Sequence, residues 1–419
     1  MSSPRQYGSP RSHRVSDTEP PPRRKWRPVV ITGCAAVVVA AVVTAVLLPD
    51  GAPDDARGTA AGGVPHTSVQ VSQSGCGSGW RRPHTGTQVF DLHNVAGVAT
   101  EVYLTDARSG AVLGEVEGLG PGTTRPLRVR LGAGSYAFKC LPDDADAVTG
   151  ETVRVSGGGS PGPAALPVSQ HDLIPATLDY QKWVGRRMDE LADRVGTLRA
   201  AVDRGDLAGA RRDWLTAHLV YERMGAAYGA FGDADGAING TTAGLADGVH
   251  DKDFTGFHRI EYGLWHEDST TGVRRTTAQL VKDVEALRES WAQERMDPLD
   301  MGLRAHEILE NTVQFELTGR TDYGSHTNLA TARANLDGTR AVLDHLHPML
   351  TARIPGQLKK IDSWLDRTRH TLDGFAHDGH WEGLAELNRA DRQRVDADVN
   401  EAVERLAPVA AVFDVRRTS

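Results

Sequence analysis

Cysteine is scarce in this chain, with three in 419 residues, and the positions leave room for one disulfide. Cys34 lies inside a long apolar run, so Cys76 and Cys140 are the pair that remains. Both follow that run and are predicted to face an oxidising compartment, where paired cysteines form disulfides. We therefore predict a disulfide between Cys76 and Cys140.

Methionine is absent from the segment between His66 and Ser156, and no histidine follows Cys140 within it. A blue-copper site needs two histidines, a cysteine and, as a rule, an axial methionine. His84, His93 and Cys140 supply only part of that set. The sequence therefore argues against a type-one copper centre in this segment.

Basic charge is in deficit, with 47 Lys and Arg against 55 Asp and Glu and a net charge of −8. Residues 170–419 hold 31 basic and 41 acidic side chains, a net of −10. Such an acidic segment argues against nucleic acid as a partner and favours cations or basic partners. The exception is residues 1–27, where seven basic residues stand against two acidic ones.

Long apolar runs are also rare, and the only one extends from Pro28 to Leu48 without a charged residue. About twenty apolar residues span a bilayer as a helix. Four basic residues precede the run at positions 23–27, so the positive-inside rule makes residues 1–27 a cytoplasmic tail. No convincing cleavage site follows, which favours a retained anchor at 28–48. We expect a single-pass protein of the cell membrane with extracytoplasmic domains, or an exported one if the run is cleaved.

Changes of composition divide the remaining chain. Residues 49–65 and 157–169 are rich in Pro, Gly and small residues and are predicted linkers. Residues 66–156 alternate apolar and polar side chains between turn residues, which predicts a small β-sandwich. In residues 170–415 apolar side chains recur every three or four positions, which predicts a bundle of about eight helices without strands. The predicted fold is multidomain: a transmembrane helix, a β-sandwich and an all-α helical bundle.

The stretch DFTGFHRIEYGLW, residues 253–265, places His258 and Glu261 three positions apart on a predicted helix. Side chains at i and i+3 lie about 5–6 Å apart, so the pair can supply half a coordination shell. Apolar neighbours surround it, and a buried carboxylate is costly without a cation or a hydrogen-bond donor. The alternative is a core histidine that hydrogen-bonds to the glutamate beside it.

Further acids lie in other stretches with helical periodicity. Glu222 falls on a predicted helix at 207–228, and Glu307 falls on another near 300–317. Asp233 and Asp235 follow the first of these helices in a predicted Gly-rich loop. Carboxylates from several helices, with a histidine, are how bundles bind iron or manganese, and zinc also suits such ligands. The alternatives are a turn or capping role for the two aspartates and a solvated helix face for the glutamates.

No H-E-x-x-H motif occurs in the chain, and HEILE at residues 306–310 has a glutamate in place of the second histidine. A zinc metallopeptidase of that kind needs two histidines one turn apart, with the glutamate between them as general base. The sequence therefore offers no complete hydrolytic site.

Long stretches of the helical segment resemble the EfeO family of iron-uptake proteins, the imelysin-like group. They are AHLVYERMGAAYGAFGD, DFTGFHRIEYGLW, RAHEILENTVQFELTG and DYGSHTNLATARANLDGTR. The resemblance implies an extracytoplasmic iron-binding protein that works beside a membrane iron permease and a haem-peroxidase-type partner. It also implies that residues 66–156 form a cupredoxin-like module.

The resemblance implies a ligand set for iron as well. The H-x-x-E of the family falls on His258 and Glu261, and the acid of its preceding helix falls on Glu222. Further ligand candidates are Asp233, Asp235 and Glu307.

Two other functions compete with iron binding on the sequence alone. One is a metal-free module that binds an acidic or carbohydrate ligand. The other is a zinc metallopeptidase that uses the same cluster, since relatives carry a peptidase label. The helical segment has no evident nucleophile, so we expect the protein not to be an enzyme.

Overall fold

The structure, a computed structural model, describes residues 64–266 and 269–414. The predicted cytoplasmic tail, the predicted anchor and nearly all of the first predicted linker lie outside these residues. Within them, no helix combines the length and the apolar character needed to cross a membrane. A β-sheet region comes first along the chain, and a helical domain follows it.

The β-sheet region contains two sheets. Its strands are β1 (His66–Val71), β2 (Cys76–Ser78), β3 (Gly86–Asn94), β4 (Thr100–Asp106), β5 (Val112–Leu119), β6 (Thr124–Leu131), β7 (Gly134–Pro142), β8 (Val148–Thr149) and β9 (Val153–Val155). One sheet has the order β2-β1-β3-β6, and the other has the order β5-β4-β7-β8 with β9 also paired to β7. Strands β1 and β3 run parallel, whereas the other neighbours in these sheets run antiparallel.

Alternating burial explains why these residues form strands around one core. In β6 the apolar residues at 127, 129 and 131 are buried while the residues between them are exposed. Trp80, Phe90 and Phe138 pack edge to face in this core, with ring centroids 4.9–5.7 Å apart. A disulfide joins Cys76 of β2 to Cys140 of β7 and so links the two sheets. The β-sheet region is confirmed, and its likeness to a cupredoxin stays a prediction.

The helical domain is confirmed as well. Its helices are α1 (Gln170–Arg204), α2 (Leu207–Glu222), α3 (Tyr228–Phe231), α4 (Asp233–Asn239), α5 (Gly256–Trp265), α6 (Thr270–Ser290), α7 (Met301–Asn311), α8 (Asn328–Arg353), α9 (Pro355–Asp373) and α10 (Arg389–Phe413). A short hairpin, β10 (Ala376–His377) and β11 (His380–Trp381), connects the last two helices. The sequence pattern predicts no strand here, but the hairpin turns at Asp378 and Gly379, which both have positive φ.

At three places the structure differs from the predicted secondary structure or adds an irregular turn to it. All three contribute residues to the cavity described in the next subsection. The predicted helix at 207–228 ends at Glu222, and a 3₁₀ turn follows at Gly225–Ala227. Asp233–Asn239 is helix α4 and not a loop, with its two aspartates in the first turn, where the helix dipole favours acids. The predicted helix near 300–317 ends in a π turn at Thr312–Glu316.

Gly256 fixes the start of α5, the helix that carries His258 and Glu261. Its φ is +75°, and a Cβ there would lie 2.2 Å from the carbonyl oxygen of Ile238. Gly256→Ala is therefore expected to lower the free energy of unfolding by roughly 2–3 kcal/mol, because an L side chain is strained at this φ and collides with backbone. Guanidinium unfolding followed by circular dichroism measures the change.

Gly236→Ala is the matched control, because Gly236 lies inside α4 and a Cβ there meets nothing within 4 Å. This variant is expected to be neutral or slightly more stable. Equal stability of the two variants would contradict the role given to Gly256.

Candidate metal centre

A cavity of about 370 Å³ lies between α2, α5, α7, the π turn and α8. Its lining holds three carboxylates and a histidine against one arginine: Glu222, Glu307, Glu316, His258 and Arg304. We call it the acidic cavity. Because its charge balance is negative, a cation gains more from entering it than an anion does.

Glu222 ends α2 and is only 6% exposed. Its Oε1 lies 3.0 Å from His218 Nε2 and accepts a hydrogen bond from the Asn239 amide at 2.7 Å. With its amide nitrogen turned to Glu222, Asn335 donates to Oε2 at 3.0 Å and accepts from Thr312 Oγ1 at 3.1 Å. Burial raises the pKa of Glu222, but the charge and hydrogen bond of His218 and the bond from Asn239 leave that pKa below its ordinary value.

His218 supports Glu222 from one helical turn earlier. Burial lowers the pKa of His218, while the negative charge of Glu222 raises it and prevails. The ring stacks on Trp214 and lies edge-on to His258 with ring centroids 5.3 Å apart. The imidazole therefore links the buried carboxylate to the histidine of α5.

His258 and Glu261 are both buried, at 3% and 1% exposure, and form a pair within α5. His258 Nδ1 lies 3.3 Å from Glu261 Oε2. An ionised carboxylate only accepts, so this contact places the proton of the neutral ring on Nδ1 and leaves the lone pair on Nε2. A carboxylate that orients a histidine in this way is the usual support for a histidine ligand.

Glu261 accepts hydrogen bonds from the loop that precedes α8. Its Oε1 accepts from the backbone N–H groups of Tyr323 and Ser325, both at 3.0 Å, and from the Ser325 hydroxyl at 2.6 Å. His258 lines the acidic cavity, and Glu261 is not among the lining residues. Glu261 is therefore a buried, hydrogen-bonded neighbour of His258, and the ligation expected for it from the sequence stays a prediction.

Glu316 is a cavity residue that sequence reasoning missed. It is 8% exposed and accepts hydrogen bonds from Thr321 Oγ1 at 2.6 Å and from the Asn328 amide at 2.9 Å. Burial raises its pKa, and the negative charge of Glu222 raises it further. The negative charge of Glu222 thus acts on Glu316, and both side chains line the acidic cavity.

The other acids predicted as ligands lie at or beyond the edge of the acidic cavity. Asp233 is exposed, and Asp235 is half-buried and accepts a hydrogen bond from the Tyr221 hydroxyl at 2.6 Å. Neither aspartate lines the cavity, whereas Glu307 does and is paired with Arg304 at 2.7 Å. An arginine neutralises Glu307, so this carboxylate is less available to a metal than Glu222.

The acidic side chains surround a space and do not form a closed coordination shell. In the part of the chain that the structure describes, no three His, Cys, Asp or Glu side chains converge closely enough to hold a metal ion. A cation entering the acidic cavity would have to draw these side chains together or complete its shell with water.

The fold and the site thus define a helical protein with buried carboxylates and a histidine around a small, negatively charged cavity. The family model for imelysin, Peptidase_M75, matches residues 176–411, which is more than half of the chain. The chain therefore belongs to the imelysin family, and the resemblance seen in the sequence motifs is confirmed.

Curated relatives extend over much of the chain. The iron uptake system component EfeM of Pseudomonas syringae is 28% identical over 241 residues, 56% of this chain and 83% of that protein. The component EfeO of Yersinia pseudotuberculosis is 25% identical over 358 residues, and EfeO of Escherichia coli K12 is 26% identical over 364 residues; each match covers 84% of this chain and 92% of the relative. The solved structure of an imelysin-like protein from Psychrobacter arcticum matches 59% of this chain and 93% of its own at 15% identity, with a TM-score of 0.39.

Proposed function

We propose that this protein is an extracytoplasmic iron-binding component of an iron uptake system, which captures iron in the acidic cavity and passes it to a membrane permease. The observation that carries the proposal is the pair of buried glutamates, Glu222 and Glu316, beside His258 in a cavity with a single arginine. Burying two carboxylates near one another is costly unless a cation joins them. The curated relatives are iron uptake components by name, which supports iron as that cation.

The proposed roles differ between residues. Glu222, Glu316 and His258 Nε2 contact the ion, and waters complete its shell. Glu261 orients His258 and stabilises the positive charge that the ring acquires on binding. Glu307 and Arg304 form part of the entrance to the cavity. Asp235 does not line the cavity and contributes only its negative charge. Asp233 is exposed and is assigned no direct contact.

An incomplete shell suits a carrier that has to release its cargo. Hard oxygen ligands and one imidazole fit ferrous or ferric iron, and zinc competes for the same donors. A site with three protein ligands and exchangeable waters gives up its ion to a permease more readily than a closed four-ligand site does.

We propose no hydrolytic role for the cavity. A zinc peptidase needs a free glutamate beside the metal as general base. Three donors hold Oε1 of Glu261, and His258 faces its Oε2, so this carboxylate is committed to hydrogen bonds within the protein. Purified protein that binds iron but cleaves no peptide supports this reading, and metal-dependent cleavage of a peptide would overturn it.

The cellular location, the domain order and the further partner that we propose are those predicted from the sequence. Residues 28–48 anchor the chain in the cell membrane, and a cupredoxin-like module at 66–156 precedes the helical domain at 170–415. A haem-peroxidase-type component is a further partner. The deciding experiment is calorimetric titration of the full-length chain with ferrous iron under argon and with ferric iron, beside the His258→Ala variant. Failure of the wild type to bind either ion, or equal binding by the variant, would end the proposal.

Iron affinity is expected to fall as the pH drops, because iron and protons compete for Glu316. The pKa of Glu316 lies above its ordinary value of 4.5, owing to burial and to Glu222, so this group takes up a proton at a higher pH than an exposed glutamate does. The contribution of Glu316 to iron affinity is thus full above the raised pKa and is lost as the pH falls through it, and binding below it releases a proton. Titrations in several buffers at about pH 5 to 7.5 measure both quantities.

Glu316→Gln is the control for this pH dependence. It is expected to bind iron more weakly but with a flatter pH profile, since the remaining dependence belongs to the other ligands. Parallel profiles for the two proteins would show that Glu316 does not exchange its proton for the ion.

A further inference from the structure

The connection between α9 and α10 is longer than two neighbouring helices need. It comprises residues 374–388 and contains the hairpin of β10 and β11. Helix–helix connections in bundles usually take about 2–8 residues, and much longer ones are commonly functional. Phe375 and Trp381 pack against the core of the helical domain, so the hairpin is held on the surface of that domain.

Two histidines flank the turn of this hairpin. His377 ends β10, His380 begins β11, and the two are direct cross-strand partners. Directly opposite residues of an antiparallel pair lie on one face, with Cβ atoms about 4.5–5.5 Å apart. Two imidazoles at that separation can reach one ion, since metal–nitrogen bonds are about 2.0–2.1 Å long. The two-residue turn at Asp378 and Gly379 fixes this register.

A carboxylate lies on the same side of the hairpin. Glu382 follows His380 by two residues, and its N–H donates to the Phe375 carbonyl at 3.0 Å, which continues the pairing of the strands. Its Oε1 lies 3.3 Å from Nε2 of His377. The carboxylate thus faces one ring nitrogen, and Nδ1 remains for an ion. A carboxylate beside a histidine ligand is a common support for it.

Both histidines are accessible to an ion from solution. The side chain of His377 is 64% exposed, and His380 is exposed as well. Within residues 64–266 and 269–414, His380 makes no hydrogen bond or ion pair. Exposed side chains change rotamer within nanoseconds, so the register of the backbone decides what they can reach. An exposed ion pair of His377 with Glu382 contributes little to stability, and it does not account for a second histidine directly opposite.

We propose that His377 and His380 chelate a divalent transition-metal ion of the copper, nickel or zinc kind, with Glu382 as support and waters in the other positions. Imidazole suits these ions, whereas the carboxylates of the acidic cavity suit harder cations. The site uses two ligands from the chain, so it does not require the converging group of three that the described residues lack. No hairpin residue lines the acidic cavity, and the site is independent of the proposed function.

Calorimetric titration of the full-length chain with Cu²⁺, and separately with Ni²⁺ and Zn²⁺, in iron-free buffer tests the proposal. We expect a saturable site at the hairpin that prefers Cu²⁺, because copper(II) binds nitrogen ligands most tightly among these ions. His380→Ala should weaken this site at least about tenfold, since even a supporting residue is worth roughly 10- to 100-fold and His380 is a ligand. Glu382→Gln should cause a smaller loss, because both ligands remain.

His171→Ala is the matched control. His171 is also an exposed histidine, but it lies in the first turn of α1 and has no cross-strand partner. Its replacement should leave the copper affinity of the hairpin unchanged. Equal weakening by His171→Ala and His380→Ala would mean that copper binds surface histidines without selection, and this result would overturn the proposal. A wild type without a saturable copper site would do the same.

Glu222→Gln separates the hairpin site from the acidic cavity. This variant is expected to lose iron binding and to keep the copper site. Loss of the copper site in it would place the ion in the acidic cavity and overturn the assignment to the hairpin. An unchanged circular dichroism spectrum shows that His380→Ala is folded. A wild type that binds copper at the hairpin but no iron would end the proposed function and leave this site in place.

Discussion

Replacing Glu222 with glutamine is expected to weaken iron binding at least about 100-fold. Loss of a supporting residue behind a ligand already costs roughly 10- to 100-fold, and Glu222 is proposed as a ligand itself. Its lowered pKa means that this carboxylate carries its charge when the cavity is empty, ready for a cation. Glutamine keeps the size of the side chain and one acceptor oxygen, which can still face His218 and Asn239, so the variant removes the charge with little change in packing around His218.

The measurement is the iron dissociation constant from anaerobic titration calorimetry, with Glu307→Gln as control. Glu307 lines the same cavity and loses the same charge, but Arg304 already pairs with it at 2.7 Å and its side chain is 30% exposed. Partly exposed ion pairs contribute little, so this variant should change iron affinity by less than about fivefold. Equal losses in the two variants would mean that the cavity attracts iron by total charge and that Glu222 is not a ligand.

The sequence predicts those site residues that can be recognised from their spacing within a single helix. His258 falls on a helix of the predicted period, and Glu222 lies one turn after His218 on another. Both line one cavity in the structure. A polar residue inside an apolar helical pattern is visible without knowledge of the fold, which explains why these two positions could be found.

Glu316 could not be found in the same way, because its position depends on an irregular helix. It lies nine residues after Glu307, and at about 100° per residue a regular helix would place the two on opposite faces. The π turn at Thr312–Glu316 changes that angle, with the Leu317 N–H donating to the Thr312 carbonyl at 2.9 Å. π turns often lie at functional sites, but residue spacing alone does not reveal them.

The role of Glu261 depends on contacts that are distant in sequence. Its three donors come from residues 62 and 64 positions further along the chain. A pattern within one helix cannot show them, so the sequence predicts that Glu261 is a ligand, whereas we propose that it supports His258. Asp235 also has a contact that its local spacing does not reveal, a hydrogen bond from the Tyr221 hydroxyl, and the metal contact predicted for it stays a prediction.

Removing the disulfide, with Cys76→Ala and Cys140→Ala together, is expected to destabilise the β-sheet region by about 4 kcal/mol. The two cysteines are 64 positions apart. A crosslink that closes a loop of this length lowers the conformational entropy of the unfolded chain, which corresponds to about 4 kcal/mol of stability. The bond also joins strands of different sheets, so its loss leaves the two sheets held by the packing of their shared hydrophobic core. Hydrogen exchange of peptides from residues 66–156 measures the change.

The same variant tests whether the two regions are independent. No lining residue of the acidic cavity comes from the β-sheet region, so iron affinity and the exchange of helical-domain peptides should match the wild type. Cys34→Ala is the control, since it removes a thiol without opening the disulfide. Unchanged protection of residues 66–156 would show that the hydrophobic core suffices without the disulfide. A loss of iron binding would instead reveal a dependence of the acidic cavity on the sheets, which the contacts around Glu222 and His258 do not predict.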